Sequence, residues 1–265
     1  MRVLWVLAHP EPRSLTAQLR TAGIAALRAA GHEVIESDLY AMHWNPVVTA
    51  ADFAEDGVGR LDVANDSESA LRTGRLAADI RAEHEKLAWA DTVVLHFPLW
   101  WYGMPAIMKG WLDRVMVQGY AYGVRDPESG RTRRYGDGGL AGRRATAVVS
   151  VGAHAGLGPR GIHGDLTEVL FALLHGTFFY TGMEVVEPVI IPGTNRVSDE
   201  RFATIAADLR TRLLALPTTP AIPYRHQDSG DYDADWNLRQ THLPGATGLR
   251  IHRDDDESPW AATAC

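Results

Sequence analysis

Phe97-Pro98-Leu99-Trp100-Trp101-Tyr102-Gly103-Met104-Pro105 is the stretch that decides the fold. It follows Thr92-Val93-Val94-Leu95-His96-Phe97, an apolar run of the kind that forms a parallel strand buried on both faces. It precedes a run with helical spacing, marked by Ile107, Gly110, Trp111, Arg114 and Val115. Three consecutive aromatics therefore sit between two prolines where a strand hands over to a helix. In an open α/β sheet this handover lies at the carboxyl end of the strands, where ligands bind. Proline fixes φ and biases the preceding residue toward extended geometry, so the turn is expected to be stiff. Aromatic rings held there are suited to stacking on a flat ligand. Three in a row on a tight turn cannot all face one core, so at least one faces a cleft.

Working outward, the same strand-to-loop pattern recurs. Arg2-Val3-Leu4-Trp5-Val6-Leu7 reads as a buried strand, broken by Ala8-His9-Pro10-Glu11-Pro12-Arg13-Ser14. A helix follows, with Ser14 as N-cap, Leu15, Leu19, Ala22 and Ala26 on its inner face, and Gly31 as its terminator. Glu33 to Leu39 is a more polar strand, expected near an edge, and completes a βαβ unit. Tyr40 to Ser67 reads as an irregular insertion. Asp79 to Ala90 reads as helix with Ile80, Leu87 and Ala88 inward. Gly119 to Arg144 is a second long loop, expected at the surface, and Ala145 to Val151 a buried strand. The glycine-rich loop Gly152 to Gly164 leads into a helix capped by Asp165 and running past Val169-Leu170 and Leu173-Leu174 to Phe178. Glu184 to Ile191 is a fifth strand, followed by a Ser198-capped helix to about Leu216. Five strands alternating with helices predict an α/β fold with a doubly wound, five-stranded parallel sheet. From Pro217 the chain turns to Pro, Gly and Asp. The expected division is a main domain over 1–216 and a small loop-rich C-terminal appendage over 217–265. The appendage is expected to end in a disordered acidic run (Asp254-Asp255-Asp256-Glu257).

Composition narrows the function. The 265 residues are 46% hydrophobic and 22% charged, enough for one large core. A net charge of −7 gives no electrostatic footprint for nucleic acid. The basic run Arg131-Thr132-Arg133-Arg134 is flanked by Asp126, Glu128 and Asp137, the pattern of a solvated loop. No signal-peptide pattern opens the chain, and no apolar run approaches the length of a membrane span. Cys265 is the one cysteine, which excludes an internal disulfide, a CxxC redox motif and a thiolate metal site. The expectation is a cytoplasmic, disulfide-free protein.

Three loops, 8–16, 97–103 and 150–163, should share one edge of the sheet. None fits GxGxxG after the first strand or the phosphate-binding GxxxxGK[ST] pattern, and HExxH and GxSxG are missing too. No metal is expected. The first loop offers Ser14, Thr16 and the free amides of a helix N-terminus, a seat for phosphate or pyrophosphate, with His9 beside it. Each also has a plainer reading: Ser14 as a cap alone, His9 satisfied by its own turn, Trp100, Trp101 and Tyr102 as core or interface. His163 lies among glycines just before Asp165, where flexible backbone favours a functional histidine. Asp165 is read as a cap and His175, inside a helix, as structural. A phosphate seat, an aromatic shelf and a glycine-rich wall describe a flavin or nucleotide site better than a nucleophile's pocket.

These residues resemble the FAD-dependent NAD(P)H:quinone oxidoreductases of DT-diaphorase type, which have a flavodoxin-like fold. The resemblance rests on Leu7-Ala8-His9-Pro10, Glu36-Ser37-Asp38-Leu39-Tyr40-Ala41-Met42, Asn45-Pro46, Phe97-Pro98-Leu99, Pro105-Ala106-Ile107-Met108-Lys109-Gly110-Trp111 and Gly161-Ile162-His163-Gly164-Asp165. They occur in the expected order over roughly four-fifths of the chain. The resemblance implies that His9, Ser14, Leu15 and Thr16 line the ribityl and diphosphate. Pro98, Leu99, Trp100, Trp101 and Tyr102 would hold the isoalloxazine, with Trp101 and Tyr102 as its wall. Ser150 and Gly152 would meet the ring's polar edge, and His163 would assist hydride transfer. Tyr122 would close the substrate pocket from a partner subunit, and Arg201 would lie near the adenine.

The implied enzyme is a cytoplasmic homodimer with its active site at the subunit interface. It would take NAD(P)H as donor, FAD or alternatively FMN as cofactor, and a quinone or similar flat acceptor, by ping-pong hydride transfer. Three departures stand out: Leu157 where the family's mammalian members carry a tyrosine, Trp100 in place of a glutamine, and Val124 in place of a second pocket tyrosine. Two other readings stay open at this point. One is a flavin-binding regulatory subunit of a membrane transport system; the other is a nitro, azo or biosynthetic reductase on the same fold.

Overall fold

The computed structural model describes residues 1–53 and 59–255. Four long strands, β1 (Arg2–Leu7), β2 (Glu33–Asp38), β3 (Thr92–Pro98) and β4 (Arg144–Val151), form a parallel sheet in the order β2-β1-β3-β4. The polar strand β2 is at the edge, as its composition predicts. β3 is buried along its whole length and β1 everywhere but Arg2, which is why both read as unbroken apolar runs.

Alternation along the strands divides the core in two. Leu4, Val6, Leu95, Phe97, Ala147 and Val149 face α3 (Ala78–Trp89) and α4 (Ala106–Val115). Val3, Trp5, Leu7, Val94 and Val148 face α1 (Leu15–Ala29) and α7 (Asp199–Ala215). Gly23 of α1 lies against Trp5 and Leu213, and a Cβ there would come within 2.9 Å of both. The register pairs Leu7 with His96 and Pro98 with Ser150, so three strands end level and deliver the three loops to one edge.

Several elements depart from the sequence reading for identifiable reasons. The inner face of α1 is Thr16, Ala17, Leu19, Gly23, Ile24 and Leu27, with Leu15, Ala22 and Ala26 only half-buried. In α3 the inward residues are Ile80, Glu83, His84 and Leu87, and Ala88 is exposed. The fifth strand is interrupted into β5 (Glu184–Val185) and β6 (Val189–Pro192), which both pair with β4. Between them stands Pro188, which has no N–H for the ladder. The insertion holds a helix, α2 (Val63–Arg72), capped by Asp62 and turning Ser67 and Ala70 inward. The helix after Asp165 is broken into α5 (Leu166–Val169), α6 (Phe171–Leu173) and a π-helical turn over Leu174–Phe179 that contains Gly176. Asp165 caps α5 by accepting from the Thr167 N–H at 2.8 Å.

The segment after α7 has one 3₁₀ turn (Leu249–His252) and shares the main core through Ile222 and Tyr224. Arg144 donates to the carbonyls of Leu216 and Thr219, and Arg250 pairs with Asp165 at 2.7 Å, tying this segment to the sheet and to the glycine loop. Asp256, Glu257 and Cys265 lie outside the described residues. No described helix is long and apolar enough to cross a membrane, and no metal-competent group of His, Cys, Asp or Glu occurs among the described residues.

Candidate functional site

The β1 loop forms one end of the site. Ser14 caps α1, its Oγ accepting from the Ala17 N–H at 3.1 Å, while Gln18 N–H reaches the Ser14 carbonyl. The N–H groups of Leu15 and Thr16 have no acceptor among the described residues, so the helix N-terminus presents two free donors. The Thr16 and Ser150 hydroxyls, both buried, bond each other at 2.9 Å and tie the first loop to β4. Their contribution to a ligand is therefore through backbone and shape. His9 is half-buried, with Nδ1 accepting from the Glu11 N–H at 3.1 Å. Burial pulls its pKa below the usual histidine range, opposed in part by the Glu11 backbone contact and charge. Its ring lies 6.4 Å from that of Trp100.

The opening stretch forms the shelf. Pro98 ends β3, and the Leu99 N–H donates to the Ser150 carbonyl at 2.8 Å. Trp100 and Gly103 then exchange both backbone hydrogen bonds, at 2.9 and 3.0 Å, closing a two-residue turn. Its central residues, Trp101 (φ 51) and Tyr102 (φ 60), are both left-handed. That is the backbone of a type I′ turn, which ordinarily calls for Asn-Gly. An L-residue in this region costs roughly 1–2 kcal/mol. The turn lays its aromatics open: Trp100 is 42% exposed, Tyr102 54% and Trp101 99%.

The glycine loop forms the facing wall. Gly152, Ala153 and His154 have no acceptor for their N–H groups among the described residues. A Cβ on Gly152 would press on Asn195, at 3.2 Å. The loop is folded by its own backbone: His163 N–H to Gly156 O at 3.0 Å, Gly158 N–H to Gly164 O at 2.8 Å, Gly161 N–H to Gly158 O at 3.0 Å. Gly161 is obligatory, since a Cβ there would stand 2.0 Å from the Gly156 carbonyl oxygen. Leu157 is half-buried against the main core. His163 meets the shelf directly, its Nδ1 3.0 Å from the Tyr102 hydroxyl.

Two expected residues border hollows of their own beside these loops. Tyr122 lines a separate hollow of about 380 Å³ with Met104, Met116 and Tyr180. Arg201, in the first turn of α7, donates from Nη2 to the Pro192 carbonyl at 2.7 Å and lies over Gly193. It borders a hollow of about 200 Å³ with Pro192, Ile205 and Arg212. The sequence reading missed Asn195 and Gly193, which flank the glycine loop from the β6 side. It also missed His96, fully buried, with neither ring nitrogen hydrogen-bonded. Burial above all, then the nearby charge of Arg20, holds the His96 pKa down to about 3. No local pattern marks a strand histidine as orphaned; only the packed sheet reveals it. His175 is structural in its packing, stacked on Phe171 at 4.5 Å.

The arrangement is a sheet-edge cleft with free amides at one end, exposed rings in the middle and a histidine on the far wall. The sequence profile of the flavodoxin-like fold matches residues 1–213. The ribosyldihydronicotinamide dehydrogenase-like protein traD of Penicillium crustosum is 41% identical over 257 residues, 95% of each chain. NAD(P)H dehydrogenase [quinone] 1 of Rattus norvegicus is 36% identical over 193 residues, 72% of this chain and 68% of the rat protein. A Klebsiella pneumoniae structure described as a quinone reductase superposes with a TM-score of 0.91 at 45% identity, over 96% of this chain and 99% of that one. The chain belongs to the flavodoxin-like family and, within it, to the oxidoreductases of NAD(P)H dehydrogenase (quinone) type.

Proposed function

We propose that this chain reduces quinones or similar flat acceptors at the expense of NAD(P)H, using a flavin seated across the three loops. The observation that carries the reading is the convergence of those loops: Thr16 bonds Ser150, Leu99 bonds Ser150, and Tyr102 bonds His163. The donors fit such a group. The unsatisfied Leu15 and Thr16 amides suit a diphosphate, and the exposed aromatic turn suits a tricyclic ring. The free amides of Gly152 to His154 suit the ring's polar edge. When bound, the flavin supplies the hydride chemistry, taking two electrons from the nicotinamide and delivering them to the acceptor. The chain's part is to orient the rings, exclude water and offer N–H donors where negative charge develops.

The hollow beside Arg201 supports FAD rather than FMN, because it gives an adenine room next to a guanidinium. Trp101 and Ile162, 99% and 92% exposed, support a second copy of this chain closing the cleft, with Tyr122 meeting the acceptor from that copy. Residues 1–216 then form the catalytic unit and the C-terminal segment its cover, and a single cysteine in the chain fits a cytoplasmic setting. The test is the absorbance spectrum of the purified protein, mass analysis of the released flavin, and NAD(P)H oxidation with and without a quinone. A yellow dimer with FAD and quinone-dependent turnover is expected. A colourless protein that takes up neither flavin overturns the reading.

A further inference from the structure

Trp101 and Tyr102 both adopt the left-handed backbone, at φ 51 and 60, in a turn closed from Trp100 to Gly103. Such strain persists only where the surroundings enforce it, and it clusters at functional sites. The turn has little to show for it in packing: Trp101 is 99% exposed. Its one polar side-chain product among the described residues is the contact between the Tyr102 hydroxyl and His163 Nδ1, at 3.0 Å, across 61 positions of sequence. A half-exposed hydrogen bond adds little to stability. The strain is thus poorly explained as a folding device and well explained as an aiming device.

We propose that Tyr102 is a positioning residue whose hydroxyl donates to His163 Nδ1 and so fixes this histidine as the Nε2–H tautomer. A neutral imidazole has one donor and one acceptor nitrogen, and the bond made by one decides the state of the other. With Nδ1 accepting, the proton resides on Nε2, which has no partner among the described residues. The backbone of His163 is held independently, by its N–H to Gly156 O at 3.0 Å, so Tyr102 governs the ring alone. The glycine loop supplies no substitute: its Leu157 is apolar and packs on the core, and Tyr102 is the one hydrogen-bond partner of the ring among the described residues. An Nε2–H donor can stabilise negative charge that develops in the cleft, whereas the opposite tautomer would present a lone pair and repel it.

The use of this donor rests on the oxidoreductase reading above; the tautomer does not. The experiment is long-range ¹H–¹⁵N correlation on the flavin-loaded enzyme labelled with ¹⁵N-histidine, at a pH where the ring is neutral. His163→Gln identifies the His163 signals. The wild type should show His163 as one Nε2–H tautomer, and Tyr102→Phe, which keeps the ring and loses the hydroxyl, should show a mixture. The same variant should lose about tenfold in kcat with KM nearly unchanged, and the pH profile of kcat should shift. A wild-type Nδ1–H tautomer, or an unchanged single tautomer in Tyr102→Phe, overturns the proposal. A tautomer shift in a protein that fails to oxidise NAD(P)H would sink the oxidoreductase reading and leave the Tyr102 role standing.

Discussion

Helix α4 separates two regions with opposite habits. Along its body, buried charge is fully answered. Arg114 reaches Asp52 at 2.7 Å, Asp79 at 2.6 Å and the Asn45 carbonyl at 3.1 Å, and lies 4.6 Å over the Trp44 ring. Trp111 gives its indole N–H to Glu83, which also accepts from Ser37 and Lys86. Just ahead of its N-terminus, the 100–103 turn is strained, exposed and mostly unanswered. The first region ties residues 44–53 to the sheet layer, and Gly110 lets Pro46 pass so closely that a Cβ would stand 2.2 Å from its carbonyl oxygen. The difference teaches where to look for function: not at the densest polar network but where the chain leaves rings and amides without partners.

The strongest way to break this comparison is Arg114→Leu. It strands the buried Asp52 carboxylate, and removing one member of a buried pair costs about 3–5 kcal/mol. Urea unfolding should show that loss, while flavin reduction per folded molecule stays near wild type. A loss below about 1 kcal/mol would mean the network is not what fastens the insertion.

Acid sharpens the same contrast. Glu83 and His96 are both 0% exposed, yet Glu83 has three donors and His96 has no hydrogen-bond partner among the described residues. Burial, then the Arg20 charge, holds His96 at about 3; burial, then His252, holds His175 at about 4. The unfolded chain titrates these groups near 6.5, so between roughly 6.5 and 4 it binds more protons than the folded protein. Stability therefore falls as pH drops through that window, by about 1.4 kcal/mol per unit for each histidine at most. Urea midpoints at pH 7, 6, 5 and 4 measure the slope, and His96→Leu should flatten it. An equal slope in that variant would show that His96 is protonated in the folded state.

The same logic explains what the sequence revealed and what it hid. Strand ends were legible because buried parallel strands are continuous apolar runs, and Leu7, Phe97 and Val151 each give way to Pro or Gly within three residues. From those ends the three loops of the site followed. The partners inside the site did not. Ser14 was expected to serve the ligand or the helix, and geometry gives its hydroxyl to the helix. The resemblance implies separate ligand contacts for Thr16 and Ser150, and their hydroxyls face each other across 134 positions. The I′ turn was illegible for a further reason: Trp-Tyr contradicts the local preference for that backbone, so the tertiary frame must impose it. The π-turn was hidden because it departs from the 3.6-residue period, and α2 because its residues are mostly polar and its buried positions are Ser67 and Ala70.

The smallest effect is the most discriminating between the two regions. Trp101→Gly removes a side chain that touches little in the chain and permits φ 51 without a Cβ clash. Relief of the left-handed strain, about 1–2 kcal/mol, outweighs the extra backbone entropy of glycine, about 0.5–1 kcal/mol. The variant should therefore unfold at a higher urea concentration, by about 0.5–1 kcal/mol, while binding flat acceptors more weakly. Along α4 truncating Trp111 or Arg114 must destabilise, because each is buried and bonded to a buried carboxylate. A Trp101→Gly protein that is less stable than wild type would mean the ring is held against something in solution. The shelf would then already be covered, and a second copy of the chain would be the first place to look for its cover.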